Sequence, residues 1–282
     1  VSRLLPELPI DIRWCGLTRI LVLSDQLWAE HWSAGLRSRR VVAQATWPGP
    51  EEQPLSAALQ AVLAQLPATH WQHIEVYLAD RHVHLLLLPA MAQSLQVFSW
   101  SGEEQLAYAR AVLMQTYGET ARTWPFRLQD IRQPQDCLLA AIPALQSADL
   151  QVLFKGNAVQ WSVQPYASAL WAHTRLPESG SVLMAESQML RLIQLKQGRI
   201  VHVSSLAVDL SDLASITAWL MRERTLLSVQ ASSCYWLIEP GCSVMAMTGG
   251  HIKQALSAHL PLQTLYAAHA VTTLWQEVMH VA

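Results

Sequence analysis

Two stretches, RILVLSDQLWAEHWS (Arg19 to Ser33) and VLMAESQMLRLIQLKQGRIVHVS (Val182 to Ser204), each run an apolar strand into a polar turn and out into a further strand. Alternating apolar and polar residues on either side of a short polar break are the signature of a hairpin whose one face is buried. The first turn is Ser24-Asp25-Gln26 and the second is Glu186-Ser187-Gln188. Each has one acid and no glycine, so side chains crowd the backbone where a phosphate loop would leave it bare.

Around both hairpins the pattern extends in the same way. Strand patterns over 19–24, 27–33 and 40–47, closed by Pro48-Gly49-Pro50, are followed by a helix over 54–66 that sets Leu55, Leu59, Val62, Leu63 and Leu66 on one face. In the second half, strands over 182–187, 189–196 and 199–206 precede a helix from Ser211 to Arg224. Three linked strands and a helix, twice, predict a mixed α/β chain with an internal structural duplication, each half opening like a ribonuclease-H-like domain. The first half continues with strands over 73–78 and 82–88 joined by the turn Ala79-Asp80-Arg81, a helix from Ser101 to Tyr117 stopped by Gly118, strands over 126–131 and 136–142, a helix over 144–154 and a strand over 159–163. A further helix opens at Pro165, and Pro177 to Gly180 reads as a linker. Leu106, Ala109, Leu113 and Tyr117 give the 101–117 helix one apolar face, with Arg110 expected to extend its stem to water. Strand 234–238 and helices over 251–260 and 267–280 complete the expected order.

Composition narrows the class. At 282 residues the chain can build two modest cores, and it is 51% hydrophobic with only 14% charged residues. Twelve tryptophans suit interfaces as well as cores. A net charge of -2 supplies no field for nucleic acid or anionic lipid, and the cluster Arg37, Arg39 and Arg40 reads as a solvated turn. The three lysines, Lys155, Lys196 and Lys253, stand outside any phosphate-loop motif. Cys15, Cys137, Cys234 and Cys242 are scattered, the usage of a reducing compartment. With no run of 18 apolar residues, the expectation is a cytoplasmic protein without membrane insertion.

Three local runs carry a family resemblance: IEVYLADRHVHLLLLPA (Ile74 to Ala90), GEEQLAYARAVLMQTYG (Gly102 to Gly118) and VQWSVQPYASALW (Val159 to Trp171). Together they resemble the PilM and GspL type of actin-like protein, cytoplasmic assembly factors of type IV pili and type II secretion. The resemblance covers about residues 18–265 and rests on element order and local patterns. It implies an α/β fold of two ribonuclease-H-like halves, 18–163 and 164–282, after an irregular arm over 1–17. It also implies a small subdomain, about Arg81 to Ile131, inserted in the first half. Val163, Pro165, Ala169 and Leu170 match the crossing between halves.

Proteins of this fold hold nucleotide phosphates with two hairpin turns rich in Asp and Gly, the acids organising magnesium. The corresponding positions here are Ser24, Asp25, Glu186 and Ser187. For the adenosine contact, Gly249-Gly250 competes with Pro240-Gly241, and the former fits better because Leu256, Leu260 and Pro261 follow it. The expectation is a scaffold without enzymatic activity and with no cofactor. Its partner is expected to be an inner-membrane assembly protein presenting a PilN-like cytoplasmic tail. A functional ATP-binding protein with diverged phosphate loops is the alternative, and self-assembly into a homo-oligomer is a third reading. Asp80, His82 and His84 fall short of a metal set, with both histidines expected on one strand face. No G-x-S-x-G elbow surrounds Ser232 or Ser233, and Asp25 and Glu186 fall in different halves, against a two-metal nuclease centre.

Overall fold

The computed structural model describes residues 16–23, 26–34, 39–48, 52–67, 72–88, 102–128, 137–143, 160–168, 178–186, 189–208, 212–226, 235–239 and 262–266. The chain divides into two compact units, Val1–Tyr166 and Ala167–Ala282.

In the first unit, β1 (Gly16–Val22), β2 (Gln26–Trp32) and β3 (Arg40–Thr46) form an antiparallel meander. Helix α1 (Leu55–Leu63) then carries the chain to β4 (Gln72–Leu78), which pairs parallel to β1. A later strand, β8 (Gln160–Pro165), lies parallel to β4 and completes the order β3-β2-β1-β4-β8. The register sets Ile20 opposite both Ala29 and Val76, so one face of the sheet carries Thr18, Ile20, Val22, Leu27, Ala29, His31, Ile74, Val76 and Leu78, all buried. Helix α1 packs on β2 and β3 and buries Leu55, Ala58, Leu59 and Val62, at the apolar spacing the sequence predicts.

Gly16 opens β1 because no larger residue fits there. A Cβ at this position would stand 2.9 Å from His31 Cε1 and 3.4 Å from the Trp32 carbonyl oxygen. The His31 ring is fully buried and its Nδ1 lies 2.8 Å from Thr18 Oγ1, so it cannot swing aside. Gly16→Ala is therefore expected to destabilise the first unit by about 1–3 kcal/mol, read as a lower urea midpoint with unchanged m-value.

Between β4 and β8 the chain builds a separate three-stranded antiparallel sheet, β5-β7-β6, from β5 (His84–Leu88), β6 (Phe126–Leu128) and β7 (Cys137–Ala141). Its central strand lies beyond residue 131, so this subdomain takes in more chain than the segment read from sequence. Helix α2 (Gly102–Tyr117) closes it, burying Ala109 and Leu113 against Leu88, Ala121, Leu139 and Ala141. Leu106, expected on that face, is instead 49% exposed. Arg110 does not extend to water: it donates to the Ala121 and Trp124 carbonyls at 3.1 and 2.6 Å and lies 4.3 Å from the centre of the Phe126 ring. Gly118 stops α2 as predicted, at φ +79, where a side chain would be strained.

The second unit repeats the first sheet. Strands β9 (Gly180–Glu186), β10 (Met189–Lys196) and β11 (Arg199–Ala207) form an antiparallel meander, followed by α3 (Leu213–Leu226) and β12 (Tyr235–Glu239) parallel to β9. Strand β13 (Leu262–Tyr266) lies parallel to β12 and gives the order β11-β10-β9-β12-β13. Position for position, this is the order of the first sheet. Leu183, Leu190 and Leu192 pack with Ile216, Trp219 and Leu220 of α3. Across the same contact the His202 and Glu223 side chains meet at 2.9 Å, and Glu223 also accepts from Arg222 at 2.9 Å.

Several expectations shift at element ends. Gly16 and Leu17 belong to β1 rather than to an arm, and Pro165 ends β8, with helical backbone starting at Tyr166. The helices expected over 144–154, 251–260 and 267–280, and the arm over 1–15, lie outside the described residues. Strand β13 was missed because Leu262–Tyr266 alone shows no clear period; its pairing with β12 comes from distant chain.

Candidate functional site

The first hairpin turn sits where the C-terminal ends of β1 and β4 meet. Val22 pairs with Leu27, and the Leu23 amide donates to the Gln26 carbonyl at 2.9 Å, leaving a two-residue connection, Ser24-Asp25. Gln26, read from sequence as part of the turn, is the first residue of β2. In the second unit Glu186 pairs with Met189, so that connection is Ser187-Gln188 and Glu186 closes β9. Ser24, Asp25, Ser187, Gly249 and Gly250 themselves lie outside the described residues.

After β4 the chain does not continue as strand. Asp80–His82 form a single 3-10 turn, and β5 begins at His84. The reading that put His82 and His84 on one strand face is corrected by this turn. His82 is buried, with Nε2 donating to the Leu23 carbonyl at 2.8 Å and its ring 4.8 Å from that of Trp47. His84 belongs to the inserted subdomain, where it stacks on Tyr117 and Trp124 at ring separations of 4.4 and 5.2 Å. Because a carbonyl can only accept, the His82 contact fixes the tautomer with hydrogen on Nε2. Burial lowers the His82 pKa, and Arg81 adds to that; the hydrogen bond to Leu23 opposes it. The turn also buries Asp80, an acid just after β4 that the sequence places in a turn. Only the burial makes it notable, and no local pattern announces that.

The sheet face opposite Ile20, Ala29 and Val76 carries a polar network that sequence reading did not find. Arg19 on β1 stands in register with Glu30 on β2 and Glu75 on β4. Its Nε donates to Glu75 at 2.9 Å, and Nη1 lies 3.8 Å from Glu30. The Tyr77 hydroxyl donates to the same Glu75 oxygen at 2.8 Å, and His73 Nε2 lies 3.6 Å from the other. Burial alone would raise the Glu75 pKa. The nearby His73 ring, the Arg19 charge and the hydrogen bonds from Tyr77 and Arg19 outweigh it and bring Glu75 down to about 2. Burial first, and then the Glu75 charge, push the Tyr77 phenol up. This arrangement is a fixed anion with its counter-ion, suited to holding strands in register.

Among the described residues no group of three or more His, Cys, Asp and Glu is placed to hold a metal ion, and no helix is long and apolar enough to cross a membrane.

No protein-family model matches the chain, and no curated protein matches it by sequence. Solved structures do. A Bacteroides thetaiotaomicron protein described as having an actin-like ATPase fold and unknown function matches with a TM-score of 0.56, at 9% identity, over 92% of this chain and 94% of that one. The PilM-PilN type IV pilus biogenesis complex matches with a TM-score of 0.53, at 13% identity, over 93% and 94%. The cytoplasmic domain of EpsL, an inner-membrane component of the Vibrio cholerae type II secretion system, gives a TM-score of 0.46, 12% identity and 94% of both chains. The chain thus has the actin-like ATPase fold, and the duplicated strand order is its internal signature.

The expectation that the chain is not an enzyme does not stand. The first structural neighbour has a fold that carries the name of an ATPase. A fold that houses catalysts shows neither catalysis nor its absence. Glycine-poor turns do not decide the matter.

Proposed function

We propose that this chain is an assembly protein of the PilM and GspL kind, holding the cytoplasmic segment of an inner-membrane partner during type IV pilus or type II secretion assembly. The observation that carries this reading is the likeness to the PilM-PilN complex over 93% of the chain. The scaffold it describes has two duplicated sheets and a separate small sheet inserted in the first. Low charge and abundant tryptophan suit a surface that buries a partner segment. On this reading the protein works at the cytoplasmic face of the inner membrane and reaches it through its partner. On this reading partner binding needs no nucleotide.

The test is thermal denaturation of the purified chain with synthetic peptides matching the cytoplasmic segments of inner-membrane proteins encoded beside it, and separately with Mg-ATP. A peptide present at 100 times its Kd should add about 2.7 kcal/mol to stability. One such peptide raising the midpoint, with Mg-ATP leaving it unchanged, is the expected result. A shift with Mg-ATP and with none of the peptides would favour the ATP-binding alternative and overturn this reading.

A further inference from the structure

The chain after β4 is joined to the start of the first hairpin turn by two hydrogen bonds to adjacent carbonyls. The Ala79 amide donates to the Val22 carbonyl at 2.9 Å, and His82 Nε2 donates to the Leu23 carbonyl at 2.8 Å. Leu23 is the last residue before the Ser24-Asp25 connection, and its own amide spans that connection to Gln26. Two residues after His82 the chain enters β5, the first strand of the inserted subdomain. His82 therefore stands where the inserted subdomain is rooted and grips the turn 59 residues earlier in sequence.

We propose that His82 is a positioning residue coupling the first hairpin turn to the inserted subdomain, so that displacement of either is transmitted to the other. The geometry leaves little slack. His82 and Val83 are 4% and 2% exposed, Asp80 is 1% exposed, and fully buried Trp47 packs on the imidazole. Trp47 is itself pinned by donation from Nε1 to the Gln53 carbonyl at 2.9 Å. A close-packed contact of this kind moves as a unit. Moving Leu23 without moving His82 would strand a buried carbonyl, which polar groups in interiors avoid. The sheet β5-β7-β6 hangs from this point, so whatever engages the turn is reported at the subdomain, independently of what that ligand or partner is.

Amide hydrogen exchange on the full chain, comparing His82→Phe with His82→Gln, tests this. Phenylalanine keeps ring packing on Trp47 but cannot donate; the glutamine amide can reach the Leu23 carbonyl. His82→Phe is expected to speed exchange about tenfold, the scale of one hydrogen bond, in peptides covering both Val22–Trp28 and His84–Leu88. Peptides of α1 should stay unchanged, and His82→Gln should restore both segments. Where His82→Phe does not fold, His82→Met, a flexible filler without a donor, takes its place. Faster exchange in only one of the two segments, uniform loosening of the whole unit, or failure of glutamine to restore protection would each overturn the coupling.

Discussion

Trp47→Ala is expected to cost the first unit about 3–5 kcal/mol, the range for deleting a large aromatic from a packed interior. Trp47 is fully buried, so the substitution leaves a cavity that its neighbours cannot fill by small shifts. It also removes the donor to the Gln53 carbonyl and the ring against which His82 packs. The two losses act in the same direction, because His82 holds the first hairpin turn. Urea denaturation should show a midpoint well below that of the parent, and Trp47→Phe should recover much of the difference by restoring ring volume without the Nε1 donor. A loss below about 1 kcal/mol would mean that this corner relaxes freely, against the rigidity argued for it.

Arg19→Ala is expected to cost about 3 kcal/mol at neutral pH. It leaves Glu75 and Glu30 facing each other across β1 with their shared cation gone, and stranded buried charge is what makes breaking such pairs expensive. The partial exposure of Arg19, 26%, places the expected loss at the low end of the range for buried pairs. The pH dependence has a definite sign. The folded pKa of Glu75 is depressed to about 2 from 4.5, so the parent's stabilisation is complete above 4.5 and is lost as pH falls toward 2. That shift corresponds to roughly 3 kcal/mol between those limits. In Arg19→Ala part of the depression disappears, so the gap between variant and parent should narrow as pH is lowered through 4.5. Denaturation midpoints at pH 7, 5 and 3.5 check this, and a gap independent of pH would assign the loss to packing of the Arg19 stem instead. Buried neutral histidines add to acid sensitivity at higher pH. The His31 and His82 pKa values are both lowered by burial, so the folded state loses stability as pH falls through 6.5 and the unfolded chain takes up protons first.

The hairpins were legible because their determinants are local. In Arg19–Ser33 and Val182–Ser204 the strands alternate, and a polar break of a few residues leaves the chain no option but to reverse. The α1 face was legible for the same reason, its apolar spacing being helical. Where reading failed, the deciding partner was distant. Ala79-Asp80-Arg81 reads as a turn with His82 opening the next strand, yet the turn takes in His82 as well, because its imidazole meets Leu23 from 59 residues away. Arg110 reads as the one charge on the apolar face of its helix, with its stem extended to water. Instead it meets the Ala121 and Trp124 carbonyls, which the turn after Gly118 presents to it. Leu262–Tyr266 becomes a strand only because β12 offers it a parallel edge.

The sequence by itself determined the repeated strand-turn-strand theme, the polar glycine-free connections, the helices that cover each meander and the stop at Gly118, since each follows from periodicity or backbone freedom within a few residues. The tertiary structure alone decided that Arg19, Glu30 and Glu75 form one network, that His82 grips the first turn, and that both sheets share one strand order. Those outcomes depend on register between strands far apart in the chain. Arg19 and Glu75, 56 residues apart, become neighbours only when β1 and β4 pair in parallel, and burial then turns ordinary side chains into fixed ones.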